Sequence, residues 1–276
     1  MNKIILAIKM LEPKLSSAEQ KVASFVLNSP TQLIPLSITE LAKNCGASEA
    51  TITRFSKKLG FEGYQQLKIA VAQEQGTPAR DNISVEDLPF DIFEKVCDDI
   101  YCSLEKTKKQ LDKNSLSAVC EKILTAKEIL IFGLGNSASV AIDTAHKLLR
   151  LGLSARAYTD NHMQAIAAAH SNQSCVVIGI SHSGSSKDIV RALKICKENG
   201  STTVALTNFG KSPIYRVSDY VLNTVADETN YRILGLSSRI SQLAIIDTVY
   251  SYLACHLDGA KDAIRLTEEA LQSKKY

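Results

Sequence analysis

Two short segments rich in glycine and hydroxyl residues stand where chemistry is most expected in this chain. The segment 133–137 reads Gly-Leu-Gly-Asn-Ser, and the segment 181–186 reads Ser-His-Ser-Gly-Ser-Ser. Each follows an apolar run typical of a strand and precedes a run typical of a helix. Backbone N–H groups at a helix N-terminus favour an anion, and glycine lets the backbone approach it. Two such segments side by side predict a site for a compact phosphate attached to a polyol.

Three other interpretations of these segments remain open. The run from Gly133 to Ala138 is also Gly-x-Gly-x-x-Ala, the dinucleotide fingerprint, and Asp160 stands where a ribose-binding acid is expected. A nicotinamide-dependent oxidoreductase would need only one such loop for its pyrophosphate. A serine hydrolase would need Gly-x-Ser-x-Gly, and the run 179–183 departs from that pattern at its last position. A serine-rich helix cap without any ligand is the third alternative.

A second constellation lies in residues 37–61, where two short helical runs flank Gly46. Gly46 can adopt the positive φ of a sharp turn, Ala42 allows a close helix crossing, and Ile52 and Phe55 return apolar bulk to the first helix. This pattern predicts a helix-turn-helix whose second helix reads DNA through hydroxyls, a carboxylate and cations. The residues of that outer face are Ser48, Glu49, Thr51, Thr53, Arg54, Lys57 and Lys58.

The elements that position these residues follow from hydrophobic periodicity. Before residue 75 the pattern is helical, and Ser16 and Glu19 stand at capping-box spacing ahead of a helix over 17–28. From residue 128 onward, short β-branched runs alternate with helical ones, which predicts a doubly wound α/β domain with a parallel sheet. We expect a helix-turn-helix domain at 1–75, a linker at 76–90 that contains Pro78 and Pro89, and the second domain at 91–276.

Composition narrows the function classes. The net charge is +3, and the nine Lys and Arg of residues 1–75 against six Asp and Glu account for all of it, which favours nucleic-acid binding by the N-terminal domain. The chain has no apolar run near the roughly 20 residues that span a bilayer. Its seven cysteines show no C-x-x-C pair. We therefore expect a cytoplasmic protein without a membrane partner, a bound metal or disulfides.

The two glycine and serine motifs resemble the signatures of the sugar isomerase (SIS) domain, which implies a flavodoxin-like sheet. Together with the helix-turn-helix, nearly the whole chain is similar to the RpiR family of bacterial transcriptional regulators, including the run Ser238 to Asp247. By that resemblance four serines would hold the phosphate, with Asn136 and His182 beside them. Those four are Ser137, Ser181, Ser183 and Ser186.

Such a site could catalyse a reaction only if it contained suitable acid and base groups. Aldose–ketose isomerisation needs a base and a ring-opening group, and this chain offers Glu228 and His162, which could instead contact sugar hydroxyls. Arg239 and Lys187 could supply positive charge to an anionic ligand. We expect a regulator rather than an enzyme, with a sugar-phosphate isomerase as the alternative.

The expected partners follow from this interpretation. A homodimer or homotetramer, without any cofactor, would act as a repressor on double-stranded operator DNA of a sugar or amino-sugar catabolic operon. A phosphorylated sugar would be the effector, with N-acetylmannosamine 6-phosphate among the family's candidates.

Overall fold

A computed structural model describes residues 3–12, 15–34, 36–74, 83–226 and 236–272 of the chain. The described residues form two compact units, one built mainly from residues before 99 and the other mainly from residues 99–272. Residues 76–82 of the expected linker, and Glu228, lie outside the described residues. The chosen boundaries between domains stay a prediction.

The first unit is helical. Its helices are α1 (Lys3–Leu11), α2 (Ser17–Asn28), α3 (Pro30–Leu33), α4 (Ile38–Cys45), α5 (Glu49–Lys58) and α6 (Tyr64–Glu74). Apolar side chains from all six meet in one core because each helix has an apolar face. The fully buried members include Ile8, Val22, Leu33, Leu41, Ile52, Phe55 and Leu67.

Local sequence fixes the starts of two of these helices. Ser16 and Glu19 form the expected capping box at α2, and Ser37 and Glu40 form another at α4. In each, the serine hydroxyl accepts from a backbone N–H while the glutamate accepts from the serine N–H, so two otherwise unpaired donors are satisfied. Residues 83–88 form a turn in which the Ser84 N–H donates to the Asp87 carboxylate at 2.7 Å.

The second unit contains a five-stranded parallel sheet. After α7 (Pro89–Gln110) and α8 (Lys113–Thr125) come the strands β1 (Glu128–Gly133), β2 (Ala155–Tyr158), β3 (Cys175–Ile180), β4 (Thr202–Asn208) and β5 (Tyr220–Thr224). Their order is β2-β1-β3-β4-β5, the doubly wound flavodoxin-like order, which confirms the predicted fold class.

Helices cover both faces of the sheet, so the strands read as continuous apolar runs. They are α9 (Ser137–Arg150), α10 (Asn161–Ala169), α11 (Lys187–Glu198), α12 (Leu236–His256) and α13 (Ala260–Gln272), with a short 3₁₀ helix at Pro213–Val217. One core joins α8, α9 and α12 to the sheet, and the other joins α10 and α11 to its opposite face. Among the described residues, no helix is long and apolar enough to cross a membrane.

Candidate functional site: a helix-turn-helix face and a hydroxyl-lined sheet edge

The turn between α4 and α5 has the geometry that the sequence predicted. Gly46 ends α4 in the left-handed conformation, with φ of 58°, and its N–H donates to the carbonyls of the last turn. Ser48 begins α5, since its hydroxyl accepts from the Thr51 N–H at 3.1 Å. Ile52 and Phe55 have no exposed surface and pack into the helical core.

Three cations of α5 are exposed, and two of them, Arg54 and Lys57, make no ion pair with the described residues. Arg54 and Lys57 are exposed, and Ala50 is exposed one turn before Arg54, so the three follow each other at i, i+4 and i+7. An exposed basic stripe on the second helix of a helix-turn-helix is suited to DNA phosphates and base edges, and an alanine methyl can contact thymine. Ala50 was missed by sequence reasoning because we selected only polar side chains.

Other residues that we expected on this face are engaged within the unit. Thr51 is buried, and its hydroxyl lies 2.8 Å from that of Ser48. The Glu49 carboxylate accepts from the Thr39 hydroxyl of α4 at 2.7 Å, and the half-buried Thr53 donates to the Glu49 carbonyl. These bonds fix the start of α5 and its angle to α4.

Lys58 differs from its neighbouring cations because it reaches α2. Its Nζ lies 2.7 Å from the carboxylate of Glu19, which is almost fully buried. The hydrogen bond from Lys58, aided by one from the Ser16 N–H, lowers the pKa of Glu19 to about 2. The charge of Lys58 is thus used in part to hold α5 against α2.

The two glycine and serine segments meet at the carboxyl edge of the sheet. Gly133, the last residue of β1, is the register partner of Ile180, the last residue of β3, so the loops that follow begin side by side. The chain leaves β1 toward β2 and leaves β3 toward β4, and the two crossover helices lie on opposite faces. This is a topological switch point, where open α/β sheets bind ligands.

The loop after β1 brings the backbone close to the start of α9. A Cβ on Gly133 would lie 2.6 Å from the Ser137 carbonyl oxygen, and Gly135 has φ of 55°, so both positions require glycine. Asn136 stands at the N-cap but its side chain makes no capping hydrogen bond with the described residues. The N–H groups of Ser137 and Ala138 donate instead to the carbonyls of Leu134 and Gly135, each at 3.1 Å, so the preceding loop's backbone and not a side chain holds the start of α9.

The loop after β3 is anchored by its backbone to β4. The Ser181 N–H donates to Leu206, and the His182 carbonyl accepts from the Asn208 N–H at 3.0 Å. Ser181 is buried, while Ser183 is exposed and accepts from the Ser185 N–H at 3.3 Å. The start of this loop is therefore fixed against β4, and the loop's hydroxyls border the switch point.

Helix α11, which follows this loop, also lacks a side-chain cap. Ser186 occupies its N-cap, yet the Ser186 hydroxyl makes no capping hydrogen bond with the residues that the structure describes. By contrast, Ser16, Ser37 and Ser48 cap their helices through their hydroxyls. A serine-rich cap alone does not account for Ser186.

The remaining candidates lie in the first turns of three helices. Exposed His162 is the second residue of α10, which follows β2, and exposed Lys187 is the first of α11. Half-buried Arg239 lies in the first turn of α12, which packs against α9. The Asp160 carboxylate caps α10 by accepting from the Met163 N–H at 2.9 Å, so a ribose would have to compete for it.

Comparisons with known proteins agree with this architecture. Residues 2–78 match the helix-turn-helix domain of the rpiR family, and residues 122–252 match the SIS domain. A transcriptional regulator of the HTH type from Caldanaerobacter subterraneus is 32% identical over 92% of this chain and 91% of its own. The HTH-type transcriptional regulator HexR of Pseudomonas aeruginosa is 33% identical over 86% of this chain and 84% of its own.

Two solved structures share this fold. The NanR protein of Vibrio vulnificus, complexed with ManNAc-6P, superposes with a TM-score of 0.81 at 26% identity, covering 99% of both chains. A Methanococcus jannaschii protein, inferred to be a 3-hexulose-6-phosphate isomerase, has a TM-score of 0.53 at 21% identity over 61% of this chain and 94% of its own. The second likeness shows the fold alone.

Proposed function

The chain belongs to the rpiR family of helix-turn-helix transcriptional regulators with a SIS domain, and on that premise we propose that it is a repressor controlled by a phosphosugar. The observation that carries the effector site is the pairing of Gly133 with Ile180, which sets side by side two loops whose N-cap side chains, Asn136 and Ser186, make no capping hydrogen bond with the described residues. The phosphate would lie there, held by Ser137, Ser181, Ser183 and Ser186 with Asn136 and His182 adjacent.

The effector would be a hexose or amino-sugar phosphate. NanR binds N-acetylmannosamine 6-phosphate within the same fold, which supports that compound as the first to test. His162, Arg239 and Glu228 would contact the sugar rather than turn it over. The relatives are named as transcriptional regulators, which supports sensing as the role of the site.

DNA binding would come from two or more α5 helices in a homodimer or homotetramer that reads a palindromic operator of a sugar catabolic operon. The exposed stripe of Ala50, Arg54 and Lys57 supports this face of α5 as the reading surface. Effector binding would change operator affinity only by as much as the effector's affinity differs between the two arrangements of the subunits.

A double dissociation tests the proposal. An operator is first selected from a randomised duplex library, and a sugar-phosphate panel is screened by thermal shift, since a ligand at 100 times its Kd adds about 2.7 kcal/mol. Ser183→Ala should weaken the effector about tenfold, the loss of one hydrogen bond to a charged group, and leave operator binding intact. Arg54→Ala should do the reverse.

Ser174→Ala is the matched control for Ser183→Ala, because Ser174 precedes β3 at the opposite edge of the sheet and its hydroxyl donates locally to the Asn172 Oδ1 at 2.7 Å. Equal loss of both functions in Ser183→Ala and Arg54→Ala would indicate misfolding. Turnover of any panel member that depends on His162 or Glu228 would favour the isomerase instead.

A further inference from the structure

Gln164 is a buried glutamine between the ends of two strands. It lies in the first turn of α10 and has no exposed surface. Its Nε2 donates to the carbonyl oxygen of Tyr158 at 2.8 Å and to that of Gly133 at 3.4 Å. Tyr158 ends β2 and Gly133 ends β1, so one amide group bridges the carboxyl ends of two neighbouring strands.

Each of those carbonyls belongs to the last residue of a strand, directly before a loop that has a role in the proposed function. Gly133 opens the loop to Ser137, where the phosphate would bind. Tyr158 opens the loop that leads through the Asp160 cap to His162, where the sugar would be contacted. The Gln164 amide therefore links the starts of the two loops that follow β1 and β2.

The side-chain amide of Gln164 has a defined orientation, because its Nε2 donates to both carbonyl oxygens. Rotating it by 180° would set Oε1 against two carbonyl oxygens, which repel it. In the observed orientation Oε1 is buried and has no hydrogen-bond partner among the described residues. A buried acceptor without a partner destabilises the folded state, so the two bonds that Nε2 donates must offset this cost.

We propose that Gln164 is a positioning residue of the effector site, which holds the 133–137 loop and the start of α10, where His162 lies, at the spacing that a sugar phosphate spans. The identity of the ligand in this inference rests on the proposed function, whereas the coupling of the two segments does not. Sequence analysis could not find Gln164, because its two partners are backbone atoms 31 and 6 residues away.

The chain offers a matched control at the other end of α10. The Asn199 Nδ2 donates to the carbonyls of Ala168 and Ala169 at 3.0 and 3.4 Å, again one side-chain amide on two backbone oxygens. Asn199→Leu removes the same kind of bond without touching either loop. Gln164→Met removes the bridge while keeping the length of the side chain.

The first measurement needs no ligand. Hydrogen exchange of the full-length protein, followed by mass spectrometry, should show amides 134–138 exchanging about tenfold faster in Gln164→Met than in the wild type and Asn199→Leu. Unchanged exchange in that loop would overturn the proposal whether or not any sugar phosphate binds. If Gln164→Met does not fold, Gln164→Asn, which keeps an amide too short for both carbonyls, is measured with the same expectation.

The second measurement uses N-acetylmannosamine 6-phosphate and the sugar-phosphate panel under conditions where all variants are folded. The Kd of the best-bound compound should rise about tenfold in Gln164→Met and stay within about twofold in Asn199→Leu. A lower Tm in Gln164→Met with an unchanged Kd would mean a structural role only and would refute the positioning role. If the wild type binds no compound, the proposed function fails, while the exchange measurement still decides on Gln164.

Discussion

Arg54, Lys57 and Lys58 carry the same charge on one helix, yet their surroundings assign them different tasks. Arg54 and Lys57 lie exposed on the outer face of α5, whereas Lys58 bonds to buried Glu19 of α2. A cation that holds two helices together has less freedom to follow a phosphate. Residue chemistry alone therefore does not rank these three side chains for DNA binding.

We expect Lys57→Ala and Lys58→Ala to behave differently. Lys57→Ala should weaken operator binding at every sequence and reduce its salt slope by about 1, with the Tm unchanged. Lys58→Ala should lower the free energy of unfolding by about 1–2 kcal/mol, because Glu19 loses its charged partner. Fluorescence anisotropy across a salt series and urea unfolding measure the two effects. Loss of operator affinity in Lys58→Ala without loss of stability would contradict this assignment.

The ion pair between Glu19 of α2 and Lys58 of α5 also predicts that the free energy of unfolding depends on pH. The pKa of Glu19 is about 2 in the folded protein against 4.5 for an unperturbed glutamate. A lowered folded-state pKa stabilises the protein above the unfolded value and loses that contribution as the pH falls through the folded value.

Glu19→Gln should accordingly reduce the free energy of unfolding at pH 7. The difference from the wild type should shrink between about pH 4.5 and pH 2, where Glu19 becomes protonated. Urea unfolding of both full-length proteins at several pH values tests this. A difference that stays constant down to pH 2 would show that packing, and not charge, accounts for the effect.

The turn from β1 to α9 gives a second prediction, which concerns its two glycines. A Cβ at Gly133 would meet Ser137 backbone at 2.6 Å and the Ala141 Cβ at 2.9 Å, whereas a Cβ at Gly135 would meet nothing within 4 Å. Gly133→Ala should therefore cost about 1–3 kcal/mol of stability by overpacking and also weaken effector binding.

Gly135→Ala is the comparison variant. Its side chain would meet no neighbouring atom, so we expect only the positive φ to reduce the stability, by about 1–2 kcal/mol. Its effect on effector binding should be smaller than that of Gly133→Ala, because α9 need not move. Thermal unfolding and effector titration of both variants provide the test, and equal effector losses would contradict the close approach at Gly133.

At the scale of the whole molecule, exposed apolar side chains indicate where copies would meet. Ile142 and Leu149 lie seven residues apart on α9, on one side of the helix, and are 56% and 61% exposed. We expect this stripe to contribute to the proposed dimer of SIS domains.

Leu149→Glu should shift the protein toward the monomer in sedimentation or light scattering, because it places a charge in an apolar contact. Operator affinity should fall with it, since two reading helices then no longer act together. Lys194→Ala, on the exposed side of α11, is the control, because it changes the net charge by the same amount. An unchanged oligomeric state in Leu149→Glu would place the interface elsewhere.

Much of the architecture could be predicted from the sequence because its signals are local. The capping box at Ser16 and Glu19, the positive φ at Gly46 and the apolar strand runs each depend on neighbours a few residues away. The helix α10 was not predicted, since Asn161–Ala169 carries no strong apolar period. The alternating strands and helices also determined the parallel sheet and, with it, the edge at which the glycine and serine loops meet.

Only the tertiary structure decided which side chains of those patterns remain available to bind DNA or a ligand. Lys58 turned out to bond to Glu19, Thr51 to be buried, and the Ser186 hydroxyl not to cap its helix. It also revealed Gln164 between two strand ends. Such contacts join residues that are distant in sequence, so their geometry depends on how elements pack and not on the period or the spacing of any one segment.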